Sequence, residues 1–221
     1  MNLNLSASVN VFRLLARPAL CLPHGVVATF NDIPIPLDSA FVARTGGRKP
    51  EIKAVVLDKD DCFAFPESSE VYPAYEVRLG GQHFKKLREA YPGRKLLIVS
   101  NTAGALSHDK DRSLLATVEA STGVAVLPHA TKKPGCGDEI MAYFRAHPET
   151  GVTAPNQIAV VGDRLTTDMM LANTMGGWGL WVREGVVAPG KKSVFARLER
   201  RLANSLTARG YEAPLPSSPF E

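Results

Sequence analysis

The stretch that most constrains this chain is KAVVLDKDDCFAFP, Lys53 to Pro66. Ala54, Val55, Val56 and Leu57 form an apolar run of strand length without polar alternation, the pattern of a strand covered on both faces and hence of a parallel sheet. The run ends in three acids within four residues, Asp58, Asp60 and Asp61. Carboxylates crowded at a buried strand end repel one another and lose hydration. A hard divalent cation such as Mg²⁺ offsets both costs through oxygen ligation. The alternation of Asp58 and Asp60 suits two separate jobs, one carboxylate attacking and one moving protons.

Downstream the pattern repeats. Residues 95–100, 124–127, 157–162 and 179–182 read as further strands. Between and after them, residues 81–91, 111–120, 137–146, 167–175 and 192–209 carry apolar residues at helical spacing. Residues 62–75, with two prolines, read as a flap after the first strand. Strands alternating with helices predict an α/β fold, a Rossmann-like doubly wound parallel sheet of about five core strands with helices on both faces. The expected organisation is an N-terminal segment 1–35, a catalytic domain 36–210 and an unstructured, proline- and serine-rich tail 211–221.

Residues 1–31 contain no acid, against Arg13 and Arg17, and Phe12, Leu15 and Ala19 can share one helical face. Such a start suits an organellar transit peptide, a helix resting on a membrane surface, or a leader packed on the domain. The chain is mildly basic, with a net charge of +4 and an isoelectric point near 9.0, which permits anionic partners. No apolar run approaches the roughly 18 residues a membrane span needs. No basic stretch interleaved with aromatics points to nucleic acid. The three cysteines lack CxxC spacing, which argues against a disulfide framework or a zinc knuckle.

Ligands of such sheets gather beyond the carboxyl ends of the strands. Reading only those ends gives Asp58 and Asp60, then Ser100 and Asn101, then Lys132 and Lys133, then Asp163 and Asp168. The segments DKDD at 58–61, IVSN at 98–101, KKPG at 132–135 and GDRLTTD at 162–168 resemble, in order and spacing, the four motifs of the haloacid dehalogenase superfamily of aspartyl-phosphate phosphatases. The resemblance implies Asp58 as nucleophile, Asp60 as general acid/base and Lys133 as charge stabiliser. It implies Ser100, with Asn101, as phosphoryl ligands, Mg²⁺ held by Asp58, Asp60 and Asp163, and Asp168 in support; Asp61, an extra acid beside the metal that departs from the pattern, is a further supporting candidate. The gaps between the first three motifs leave no room for a cap domain, so an open site admitting a phosphate carried on something large is expected.

DKDDCF, IVSNTAG, HATKKPGC and VGDRLTTDMMLAN, with the proline-broken start, resemble more closely the mitochondrial phosphatidylglycerophosphate phosphatases. That resemblance implies hydrolysis of an anionic phospholipid on the matrix side of the inner membrane, on the way to cardiolipin. A smaller phosphomonoester or a phosphoprotein is the alternative substrate, and an inactive lipid-binding scaffold the alternative to an enzyme. Basic side chains near the mouth, Lys132, Arg164, His108, Lys110 and Arg112, are candidates for reading the headgroup, Arg164 foremost. Phe195, Leu198, Leu202 and Leu206 fall on one stripe of the last helix. They are expected to pack inward while Lys191, Lys192, Arg197, Arg200, Arg201 and Arg209 face an anionic membrane, with the N-terminal segment beside them.

Overall fold

The computed structural model describes residues 16–76 and 82–216. Its centre is a parallel sheet of six strands: β1 (Gly25–Val27), β2 (Ala54–Leu57), β3 (Leu96–Ile98), β4 (Ala125–Val126), β5 (Ile158–Gly162) and β6 (Trp178–Val182), in the order β1-β6-β5-β2-β3-β4. The helices are α1 (Pro73–Glu76), α2 (His83–Ala90), α3 (Ser113–Thr122), α4 (Gly137–Ala146), α5 (Met170–Met175, entered through a π turn at Leu165–Met169) and α6 (Val194–Ala208). The chain builds outward from β2 to β4 and then returns to the other side of β2 with β5. The direction of winding therefore reverses at the β2–β5 junction, where a crevice opens.

Every residue of β2 and β5 is buried. Val55 and Leu57 point into one apolar layer with Phe30, Leu37, Phe41, Phe63 and Leu87, whereas Ala54 and Val56 point into the other with Ile140, Phe144 and Leu171. This is the two-residue period of a strand clad on both sides. Between β2 and β3 the described residues hold the tight turn of the motif, α1 and α2. Between β3 and β4 they hold a loop and α3.

Two of the sequence expectations change. The N-terminal segment does not end at residue 35 as a separate part, because β1 pairs with β6 in register Gly25↔Leu180 and Phe30 and Ile33 are core residues. The sheet thus has one strand more than expected. A three-residue strand between Pro23 and a loop has too few positions to display a period. Phe12 and Leu15 lie outside the described residues. At the other end, Ala213 is buried in a cluster with Cys21, Leu22, Trp181 and Leu206, so at least residues 211–216 of the expected tail lie along the domain; 217–221 lie outside the described residues.

His24 fastens these two ends together. Its Nε2 donates to Pro214 O (2.8 Å) and its Nδ1 accepts from Gly179 N (2.9 Å), an arrangement open only to the neutral ring. Burial, with the Arg44 charge adding to it, pushes its pKa down to about 4. The unfolded chain therefore takes up a proton that the native state refuses. Stability should be full above pH ~6.5 and fall as the pH drops towards 4, by up to about 3 kcal/mol. Urea unfolding across that window tests this. His24→Gln should flatten the slope without abolishing it, since burial also holds His83 and His129 below the usual histidine range.

Candidate active site

Four strand ends converge on a cleft of about 530 Å³. Asp58 and Asp60 follow β2, Asn101 and Thr102 follow β3, Lys133 follows β4, and Asp163, Arg164 and Thr167 follow β5; all line it. At its floor Lys133 Nζ lies 2.6 Å from Asp58 Oδ1 and 2.7 Å from Asp168 Oδ1. Of the adjacent lysines 132 and 133, Lys133 is the buried one; Lys132 is exposed and does not line the cleft. Asn101 brackets the lysine's main chain, accepting from Lys133 N at 2.8 Å.

Asp58, Asp163 and Asp168 bring a carboxylate oxygen each within 4.8 Å of one another, all three buried. Gly162 makes this possible, because the Asp168 carboxylate occupies the space any Cβ there would need. One ammonium against three carboxylates would leave a formal charge of about −2 on buried groups if all were ionised. Burial first, then the Asp168 charge, push the Asp58 carboxyl up to about 7 despite its contact with Lys133. Burial and Asp58 hold Asp163 well above the usual carboxylate range. Burial alone would lower the Lys133 pKa, but Asp168 and Asp58 outweigh it and keep it above that of a free lysine. Asp163 Oδ1 is buried without a hydrogen-bond partner among the described residues. An orphaned oxygen, hard donors only and carboxylates whose ionisation is opposed by burial and by one another fit Mg²⁺.

Asp60 is turned away from this cluster, contrary to its expected place among the metal carboxylates. Its Oδ1 takes Lys59 Nζ and, at 3.3 Å, Glu67 N; its Oδ2 takes Thr102 Oγ1 at 2.8 Å and Ser100 Oγ at 3.2 Å. Ser100 is fully buried and supports Asp60 instead of facing the cleft. Asp168 is likewise occupied, by Lys133 and by Arg164 N (3.1 Å). Asp58 Oδ1 accepts from Lys59 N (2.8 Å) as well as Lys133, which leaves its Oδ2 without a donor among the described residues.

Asp61, Arg164 and the loop after Asn101 differ in part from expectation. Asp61 adopts φ 58°, a left-handed conformation that Asp tolerates better than most residues. Its carboxylate clamps the loop after β6, accepting from Val186 N (2.9 Å), Val187 N and Lys192 Nζ (2.7 Å); it lines the cleft outside the close group of Asp58, Asp163 and Asp168, and its charge adds to the upward push on Asp163. Arg164 lines the cleft, but its Nε (2.8 Å) and NH2 (3.2 Å) fork onto Glu199 of α6. His108, Lys110 and Arg112 are exposed and line no part of the cleft.

Sequence reasoning overlooked Lys59 and Thr102, and placed Lys191 on the outer face of the last helix without its part in the cleft. Lys59 lies inside the DKDD motif and is 3% exposed, its ammonium tying Asp60 to Ser68 O of the flap at 2.7 Å. Lys191 lines the cleft with Lys192 and Ser193. The strand-end rule, applied to the last strand as well, points to that loop.

The model of a family described as mitochondrial PGP phosphatase matches residues 5–187. A relative from Saccharomyces cerevisiae named phosphatidylglycerophosphatase GEP4, mitochondrial, is 46% identical over 204 residues, 92% of this chain and 99% of the relative. A Schizosaccharomyces pombe protein named probable phosphatidylglycerophosphatase, mitochondrial, is 30% identical over 84% of this chain and 85% of its own length. A Chlamydomonas reinhardtii protein named phosphatidylglycerophosphate phosphatase 1, chloroplastic, is 39% identical over 77% of this chain and 56% of its own length. No solved structure matches the chain.

Proposed function

The chain belongs to the mitochondrial PGP phosphatase family, PGP being phosphatidylglycerophosphate, and from that premise we propose that it hydrolyses PGP to phosphatidylglycerol and inorganic phosphate on the way to cardiolipin. The observation that carries the chemistry is the meeting of Asp58, Lys133 and Asp163 on the floor of an open cleft with Asp60 on its wall. We further propose that the protein works as a peripheral protein on the matrix side of the inner membrane. There it would touch the lipid through α6 and the N-terminal segment. No helix among the described residues is long and apolar enough to cross a membrane.

Asp58 and Asp163 would hold Mg²⁺, with Asp168 beside them. The cation would supply positive charge to offset the phosphate's oxygens. Asp58 Oδ2, the oxygen free of donors, attacks phosphorus. The bond from phosphorus to the glycerol oxygen breaks, and that oxygen takes a proton from Asp60. A water then attacks the acyl phosphate and gives its proton to Asp60, and inorganic phosphate leaves as the Asp58 carboxylate is restored. The proton has a natural seat on Asp60 Oδ2. The Ser100 and Thr102 hydroxyls there can turn from donating to accepting, whereas the Lys59 ammonium at Oδ1 cannot. Lys133 stays charged throughout and draws the phosphoryl oxygens in.

The cleft cations also indicate how the substrate's second phosphate, the diester, is read. Lys133, Lys192 and Arg164 each hold a carboxylate, while Lys191 has no ionic partner among the described residues. Phosphate release is therefore to be measured from PGP in mixed micelles beside glycerol phosphate, sugar phosphates and an aryl phosphate, with and without Mg²⁺. PGP should be preferred, and a chelator should stop turnover. Lys191→Met should raise KM for PGP about tenfold with little change in kcat, and leave the aryl phosphate alone. Faster turnover of soluble monoesters than of PGP would overturn the substrate assignment.

A further inference from the structure

The stripe on α6 does not lie as its periodicity suggests. The face against the domain consists of Glu199, Ala203 and Leu206, with Leu202 partly buried. Glu199, the one acid among the basic residues of this helix, is 7% exposed and holds Arg164 together with Thr166 N (3.2 Å) and Thr166 Oγ1. Drawing Glu199 inward turns the first half of the helix so that Val194, Phe195 and Leu198 are 60%, 71% and 52% exposed. Val194, Leu198 and Arg201 recur on one line at a spacing of three to four residues, with Arg197 beside them and all solvent-facing. Ser193 and Ala196, on the same two turns, line the active-site cleft. Phe65, next to the cleft-lining Pro66, is also half exposed.

Large apolar side chains grouped on a surface and rimmed by charge mark a contact site. We propose that the first two turns of α6 dock on an anionic lipid bilayer, with Val194, Phe195 and Leu198 entering the interface and Lys191, Arg197, Arg200 and Arg201 at headgroup level, so that the cleft mouth opens onto the membrane. The inference rests on the reading that the substrate is a membrane phospholipid, and it names the surface and the orientation by which that substrate is reached. Charge selects the occupant. A second copy meeting this face through a two-fold axis would bring the same basic residues against themselves, whereas an anionic surface complements them. Apolar insertion beside a basic rim is the pattern of a helix lying in the interface plane.

The test uses the full chain. Co-sedimentation is measured with phosphatidylcholine vesicles with and without phosphatidylglycerol and cardiolipin. In parallel, an environment-sensitive fluorophore is placed at Phe195→Cys, the native cysteines being buried. Wild type should bind only the anionic vesicles and release as salt rises, and the fluorophore should shift to the blue on binding. Phe195→Ser with Leu198→Ser should lower vesicle partitioning and turnover of vesicle-borne PGP by about 10²-fold, at unchanged turnover of a soluble aryl phosphate. An unshifted fluorophore with undiminished partitioning of the double variant overturns the proposal. So does an equal loss on the aryl phosphate, which would make the residues structural, or a change of oligomeric state without a change in vesicle binding, which would assign the face to a second copy. If the wild type binds anionic vesicles through Phe195 yet releases no phosphate from PGP, the substrate assignment fails and the docking surface stands. If it hydrolyses PGP while binding ignores Phe195, the docking surface alone fails.

Discussion

Asp58→Asn is expected to lower phosphate release by about 10³-fold or more on every substrate, while the protein unfolds at the same temperature or a higher one in the absence of divalent cations. The two halves of this result have one cause. The introduced amide would keep an oxygen for Lys59 N and Lys133 Nζ, which lie 2.8 and 2.6 Å from Asp58 Oδ1. It would remove one of three carboxylates crowded within 4.8 Å, and with it the nucleophile. Asp60→Asn should also be nearly inactive but for a different reason, loss of the proton carrier, and phosphorylated Asp58 should accumulate during turnover. Mass spectrometry of the quenched enzyme distinguishes the two. An Asp58→Asn protein retaining more than a few per cent of activity, a loss of less than about 30-fold, would exclude covalent catalysis at this residue.

Lys133→Met should lose activity to a similar extent and, unlike Asp58→Asn, should lose stability as well. The lysine side chain is 3% exposed and sits between Asp58 and the fully buried Asp168. Truncating it leaves three buried carboxylates with no cation. Breaking such a pair costs about 3–5 kcal/mol, on the order of 10 °C in melting temperature for a chain of this size. Mg²⁺ should then raise the melting temperature of Lys133→Met by more than that of wild type, because it binds the native cluster and not the unfolded chain. Lys132→Met, one residue away on an exposed site, is the control and should change neither property. Thermal melts with and without Mg²⁺ decide the matter; equal melting temperatures for Lys133→Met and wild type would show that the lysine does not hold the cluster together.

The parts of the site that were legible lie within a few residues of a strand end. An apolar run such as Ala54–Leu57 announces a strand clad on both faces, and the polar residue that follows must stand at its carboxyl edge, so Asp58, Lys133 and Asp163 could be placed in one crevice before any distance was known. The edge strand Gly25–Val27 was not legible. Three residues carry no period, and only pairing with Trp178–Val182 makes them a strand. Lys59 and Thr102 escaped notice because being neighbours of Asp60 says nothing of which way its carboxylate turns.

What the sequence by itself determined is the backbone plan: a parallel α/β sheet and the set of charged residues delivered to one end of it. Period and polarity are local properties, written in a few consecutive side chains. What only the tertiary structure decided is which opposite charges pair. Asp61 takes Lys192, 131 residues on, and Arg164 takes Glu199, 35 residues on. Those pairings remove Asp61 from the metal cluster and occupy the guanidinium of Arg164, leaving Lys191 as the cleft cation without an ionic partner among the described residues. Binding Glu199 also rolls the last helix so that Phe195 and Leu198 face outward. A helical stripe specifies which residues share a face but not which face meets the core. Here one partly buried ion pair, together with the packing of Ala203 and Leu206, sets that rotation.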